Sequence, residues 1–198
     1  MGVSSTHALQ FLRSHNTLDF LKNYVVTING RAAAGEADYW IYKEARTAAD
    51  KSDVFRVIHH LPNETKLRAH TVPMVNRSAL ASIGNIQGHA LPTTGADLMM
   101  TGMLTACAFL YSTDKQNMIC AHIQPETTPG QNKGLKLGVD IMNGGKFSTN
   151  DVPLVFSHRD YNWAHHANVL GVRRLDGWSI YAQVVDQNNG ILAALQLI

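Results

Sequence analysis

The sequence predicts an α+β chain: a β-sandwich core of mixed or antiparallel strands with peripheral helices and loops. Three observations predict it. Short apolar, β-prone runs recur along the chain, among them residues 24–28, 54–60, 108–111, 118–123 and 178–185. Turn signals such as Asn29-Gly30 and Asp176-Gly177 punctuate these runs. Helical patterning is clearest at one end, in residues 6–23, which fits strands packed on strands with helices outside them.

Taken in order, residues 6–23 read as two short helices. Ala8, Leu9, Phe11 and Leu12 form one apolar turn, and Leu18, Phe20 and Leu21 another, with Asn16 placed to cap the second. Residues 24–28 are a strand, Asn29-Gly30 a turn, and residues 37–42 the returning strand. Residues 54–60 and 66–75 are further strands, and Pro73 demotes the end of the second to an edge. Residues 78–83 read as one helical turn, and 85–96, punctuated by Gly and Pro, as a loop. Residues 98–104 fit either a short helix or a buried strand, and their methionines read as plastic core. Beyond the central hairpin, 126–134 is a loop and 135–142 a strand. Residues 152–157, 167–173 and 178–185 are three more strands, the last two joined at Asp176-Gly177. Residues 191–198 add a final strand or helix. No repeat and no low-complexity linker divides the chain, so 1–198 reads as a single catalytic domain.

Composition narrows the function classes. A chain of 198 residues with 45% hydrophobic and 16% charged residues has the makeup of a folded protein. A net charge of +2 without a Lys/Arg run argues against a nucleic-acid partner. No apolar run reaches the roughly 18 residues of a transmembrane helix. Two cysteines do not make a disulfide scaffold, so both are expected as free thiols. The N-terminus has no basic stretch followed by an apolar core, so no conventional secretory signal. The expected location is the bacterial cytoplasm or, through a specialised secretion machine, a host cell. Met1-Gly2-Val3-Ser4-Ser5-Thr6 matches the degenerate N-myristoylation pattern at Gly2, beside the plainer reading of an ordinary start.

The chemistry concentrates in residues 101–125. Residues 108–111 and 118–123 pair as a hairpin across a polar turn. With the turn centred on Asp114-Lys115, Tyr111 faces Met118, Phe109 faces Cys120, and Cys107 faces His122. Opposed residues on one face hold their Cβ atoms about 4.5–5.5 Å apart. An imidazolium beside a thiol lowers the thiol pKa and makes it an activated nucleophile for carbonyl carbon. Thr101 is a candidate to orient the imidazole. Backbone N–H groups around Ala106 and Cys107 are candidates for an oxyanion hole. The plainer alternative is that Cys107 packs as a small hydrophobe and His122 is a satisfied strand histidine.

Leu104-Thr105-Ala106-Cys107, Thr101 six residues before the cysteine, and Ala121-His122-Ile123 on the next strand form a recognisable set. Together they resemble the glutamine-deamidase superfamily of cytotoxic necrotizing factor catalytic domains, Burkholderia lethal factor and chemotaxis receptor deamidases. Thr105 and Ala106 depart from the family's Leu-Ser-Gly-Cys, and Ala106 lacks the conformational freedom of Gly. The resemblance covers about 25 residues, with a looser likeness at residues 91–97. It implies a β-sandwich decorated by helices and a protein-glutamine deamidase, often a toxin or effector. It also implies Cys107 as nucleophile, His122 as base and then acid, and Thr101 as orienter. The partner would be a protein presenting a glutamine side chain, with no cofactor. Loops 84–95 and 126–134 are expected to choose the target.

His158, Asp160, His165 and His166 form a second cluster. Their spacing fits no standard zinc motif, and adjacent His165-His166 point opposite ways if extended, so no metal is expected. A loop rim near the active site is the simpler reading. His158 or His165 as the base for Cys107 defines a papain-like alternative, and a non-enzymatic β-sandwich binding module is the other.

Overall fold

The computed structural model describes residues 3–30, 33–60, 64–125, 131–162 and 165–198. Gly2 with its myristoylation pattern, residues 126–130 of the predicted loop, and Trp163 lie outside the described residues. Helix α1 (Ser5–Arg13) starts where the Ser4 hydroxyl accepts from the His7 N–H. Helix α2 (Thr17–Asn23) has Asn16 at its N-cap position, but the Asn16 side chain makes no capping bond, contrary to expectation. The Asn16 N–H instead donates to Ser14 Oγ at 3.1 Å.

The first strands are β1 (Val25–Ile28), β2 (Gly35–Lys43), β3 (Val54–Ile58), β4 (Thr65–Val72) and β5 (Met74–Asn76). A 3-10 turn, Arg77–Ala79, follows, where a helical turn at 78–83 is predicted. Next come β6 (His89–Ala90), β7 (Leu98–Thr101), β8 (Ala108–Tyr111) and β9 (Ile119–Gln124). Helix α3 (Gln131–Gly144), β10 (Leu154–Phe156) and the one-turn helix α4 (His158–Tyr161) lead to β11 (His166–Arg174), β12 (Gly177–Val185) and β13 (Ile191–Gln196).

Two sheets result. The larger has the order β1-β3-β2-β4-β7-β11-β12-β13, and the smaller β10-β8-β9-β5, with β6 sharing the β5 side of β9. The larger sheet is mixed, because β1 runs parallel to β3 and β4 parallel to β7. The predicted β1–β2 hairpin is therefore wrong. β3 lies between the two strands, and Gly30 is a close-packing point whose added Cβ would sit 2.6 Å from Gly102 Cα. The open edge of β1 is satisfied by side chains. Val26 N–H donates to Gln183 Oε1 at 2.9 Å and Ile28 N–H to Asn168 Oδ1 at 3.3 Å, so the larger sheet curls until its first strand meets β11 and β12.

Three larger cores and a small one at Val25, Val54 and Val185 follow from the layers. Helices α1 and α2 bury Leu12, Phe20 and Leu21 with Leu98, Met100, Leu170 and Tyr181 of the larger sheet. Between the sheets, Met99, Val169, Ile180 and Ala182 meet Phe109, Tyr111, Cys120 and Phe156. Helix α3 covers the outer face of the smaller sheet, packing Leu137 and Ile141 with Leu110, Ala121 and Ile123. This is the β-sandwich with helices outside it that the run pattern predicts.

The strand predicted at 135–142, and residues 131–134 of the predicted loop, belong instead to α3. Gly134, Leu137, Gly138 and Ile141 follow helical spacing on the buried face. The glycines are needed there. An added Cβ at Gly134 would lie 2.7 Å from the Ala106 carbonyl oxygen, and one at Gly138 would lie 2.7 Å from Ser157 Oγ. Residues 98–104, open between helix and strand, contain the buried strand β7.

The hairpin β8–β9 forms with a shifted register: Tyr111 pairs with Cys120 and Phe109 with His122. The predicted pairs Tyr111–Met118, Phe109–Cys120 and Cys107–His122 are corrected by this. The Asp114 carboxylate accepts from the N–H groups of Gln116 and Asn117, which moves the turn centre one residue onward. One residue at the centre changes each pairing by two, so every side chain keeps its predicted face.

Gln183 is the polar pin of the curled sheet. It is 1% exposed, and its Nε2 donates to Leu21 O at 2.6 Å and Tyr24 O at 2.7 Å. Gln183→Leu should leave the Val26 N–H and two carbonyls unpaired and destabilise the protein by about 3 kcal/mol. Urea denaturation measures it. A loss under about 1 kcal/mol would show that water replaces the amide.

Candidate active site

A corner in the backbone builds the site. β4 ends at Val72 in the larger sheet, Pro73 follows, and β5 begins at Met74 in the smaller. Proline has no N–H to donate to either ladder, which suits the crossing point. On one side of the corner Val72 pairs with Thr101, and on the other Met74 pairs with His122. The corner thereby brings the end of β7 to the middle of β9. Pro73 itself is buried, and the expected edge strand is β5.

The Thr101 hydroxyl lies 2.7 Å from Val72 O and 2.8 Å from His122 Nδ1. A carbonyl only accepts, so the single hydroxyl proton goes to Val72 O. Thr101 Oγ1 must then accept from Nδ1–H. The neutral ring consequently carries its proton on Nδ1 and a free lone pair on Nε2. That Nε2 is buried and has no hydrogen-bond partner. His122 is 0% exposed, and burial pushes its pKa down to about 4.

Cys107 sits immediately before β8, 3% exposed, with its thiol 3.9 Å from Met74 Sδ. Burial pushes its pKa up, and the backbone N–H groups of Ala106 and Thr105 partly oppose this. Those donors include one of the two predicted oxyanion groups, Ala106, together with Thr105. No hydrogen bond joins Cys107 to His122 among the described residues. In the extended register Cys107 would oppose Gln124, two positions from His122, which makes the pair diagonal neighbours on one face. The structure thus brings Thr101 and His122 together and turns the thiol to Met74, the residue paired with His122.

Two further groups stand near the Cys107 segment. Tyr161 Oη donates to Cys107 O at 2.9 Å and holds the loop in place. His158 is 3% exposed, and neither ring nitrogen has a partner. Its Nδ1 and the Ala106 carbonyl oxygen both abut Gly134, at 2.8 Å and 2.7 Å from where a Cβ would stand. The capping box of Ser157 and Asp160 fixes α4, so Asp160 serves the helix. His165 Nδ1 is also without a partner. Among the described residues no three His, Cys, Asp or Glu side chains gather to hold a metal. Both cysteines are free and buried. Met74 and Tyr161 carry no sequence signal for the site, because each reaches it only through the tertiary fold.

No protein-family model matches the chain, and no curated protein matches it in sequence.

The buried neutral imidazole has a consequence for stability. A histidine whose folded pKa lies below its unfolded value of roughly 6.5 contributes stability above that pH and loses it as pH falls toward about 4. Stability should drop by about 3 kcal/mol across this window through His122 alone. His70, His89, His158 and His166, also lowered by burial, add to the slope. Urea midpoints measured from pH 7 to pH 4 should fall more steeply in wild type than in His122→Gln. Equal slopes would show that His122 is not buried as a neutral ring.

Proposed function

We propose that this chain is a cysteine-dependent protein-glutamine deamidase, of the kind found among bacterial toxins and effectors. The observation that carries the reading is the Thr101–His122 hydrogen bond, which leaves an unpartnered basic Nε2 on the strand paired with Met74, whose sulfur meets the Cys107 thiol. The deamidase resemblance of residues 101–123 supports the same assignment of roles. In the reaction, Cys107 Sγ attacks the side-chain amide carbon of glutamine as its proton passes to His122 Nε2. The tetrahedral oxyanion is held by backbone N–H groups of the 105–107 segment. It collapses as Nε2–H protonates the departing nitrogen, releasing ammonia and leaving a thioester. Nε2 then takes a proton from water, the hydroxide attacks the thioester, and glutamate and the thiol are regenerated.

The resting thiol is not yet bonded to Nε2. Hydrogen bonds of this kind often form only in the substrate complex. Met74 is the side chain to move. It is unbranched, 49% exposed and in contact with Sγ, so an entering substrate can displace it at low cost.

His158, buried with two unpartnered nitrogens, favours the papain-like alternative as a second reading. The two readings separate by mutation. Host lysate treated with wild type, but not with Cys107→Ser, should show one glutamine converted to glutamate by mass spectrometry, with ammonia released. His122→Ala should lower that rate by about 100-fold or more, and His158→Ala by only a few fold. The reverse pattern, or new peptide termini instead of deamidation, would move the assignment to the papain-like hydrolase. No change in any lysate would overturn both.

A further inference from the structure

We propose that the cavity between the α1–α2 turn and the β11–β12 turn binds the phosphoryl group of a phosphate monoester. The site is separate from Cys107 and does not depend on the deamidase reading. Tyr181 packs with helices α1 and α2 on one face of the larger sheet, whereas Cys107 belongs to the core between the sheets. The cavity measures about 340 Å³, and His15, Lys115, Arg174, Asp176, Ser179 and Tyr181 line it. Small-molecule sites begin at roughly 300 Å³, so there is room for a body attached to the phosphoryl group. Its polar lining is almost all donors. Arg174 Nη1 donates to His15 Nδ1 at 2.9 Å. A guanidinium only donates, so Nδ1 accepts, and the ring proton sits on Nε2, free to donate. Arg174 Nη2 donates to Tyr181 Oη at 3.1 Å, which leaves the tyrosine its own proton to give. Neither that proton nor the Ser179 hydroxyl has a partner among the described residues.

Charge points the same way. The other acceptors of Arg174, Ser14 O and Thr17 Oγ1, are neutral. Arg173, which lines an adjoining cavity shared with Lys115 and Arg174, donates to the carbonyls of Thr93 and Gly95. Lys115 Nζ lies 3.7 Å from the exposed carboxylate of Asp176. Asp97 is engaged by Arg13 at 3.0 Å, and Asp114 by the N–H groups of its own turn. Three cations therefore face one carboxylate. Glu126 is the one acidic residue outside the described structure, and β9 carries the chain from Ile119, beside this turn, away to Pro125 before it. The site is also held in shape, because Trp178 N–H donates to Lys115 O at 2.9 Å. A carboxylate offers two oxygens to these donors. A phosphoryl group offers three and carries up to two charges, which suits a lining of cations and N–H and O–H donors.

The test titrates glycerol 3-phosphate, inorganic phosphate and acetate into nitrogen-15-labelled protein and follows its NMR spectrum. The pH is held well above the second phosphate pKa of about 6, so the ester is a dianion. Glycerol 3-phosphate should move the Arg174 Nε–H and the Ser179 and Tyr181 amides along one saturating curve. Acetate should bind about tenfold more weakly, having one charge and one oxygen fewer. Lys115→Gln should weaken the ester about tenfold, the loss of one charge-assisted hydrogen bond. Among the described residues the Lys115 ammonium joins only the exposed pair with Asp176, so this variant keeps its fold. Acetate binding equal to the ester, affinity unchanged in Lys115→Gln, or no saturation at millimolar ester would each overturn the proposal. Inorganic phosphate bound as tightly as the ester would overturn the ester and assign the site to the free ion. A phosphoserine peptide identifies the source. Tighter binding of the peptide than of glycerol 3-phosphate supports a phosphorylated protein, and the reverse supports a small soluble ester.

Discussion

The Thr101 hydroxyl is the interaction on which the site depends. It is fully buried between the two sheets, so its single proton must be used, and the carbonyl of Val72 takes it. That commitment fixes the direction of the second hydrogen bond and hence the tautomer of His122. A serine in a wetter place could rotate its proton between partners. Here the neighbouring acceptor is a backbone carbonyl held in the β4–β7 ladder, and rotation would leave it unpaired at a cost of about 1–3 kcal/mol. The Pro73 corner is what brings these atoms together, because it delivers Val72 to one sheet and Met74 to the other.

Burial sets the resting state of the candidate pair. The two shifts are opposite in sign, and both favour the neutral form: the imidazole is held neutral and the thiol protonated. A charged thiolate–imidazolium pair is therefore not the resting form. In the proposed reaction, proton transfer would await a carbonyl whose developing oxyanion fixed backbone dipoles can stabilise. The thiol's contact with Met74 fits that picture, since it occupies the sulfur without ionising it.

Helix α3 covers the outer face of the smaller sheet and, at Gly134, abuts the carbonyl of Ala106 next to Cys107. Its glycines let the helix backbone approach the Ala106 carbonyl and Ser157 more closely than any side chain would allow. Glycine lowers helix propensity by about 1 kcal/mol per residue. Three of them in residues 134–144 therefore mask the helical period that Leu137 and Ile141 carry.

The sequence by itself determined the layered α+β class, the two N-terminal helices, the buried runs of β8 and β9, and the face shared by Cys107, Phe109, Cys120 and His122. Alternation along a strand depends only on local geometry, so it survived a turn that formed one residue later than expected. That Thr101 would stand at the His122 imidazole was also suggested by the sequence, and the two are hydrogen-bonded in the structure. Only the tertiary structure decided that β3 separates β1 from β2 and that Pro73 carries the chain between sheets. It alone showed that Met74 and Tyr161 meet Cys107 and that His158 stands with the Ala106 carbonyl against Gly134. These are contacts between residues distant in the chain, selected by which surfaces close on one another. The register of the hairpin belongs with them, because it turned on which N–H groups the Asp114 carboxylate would accept.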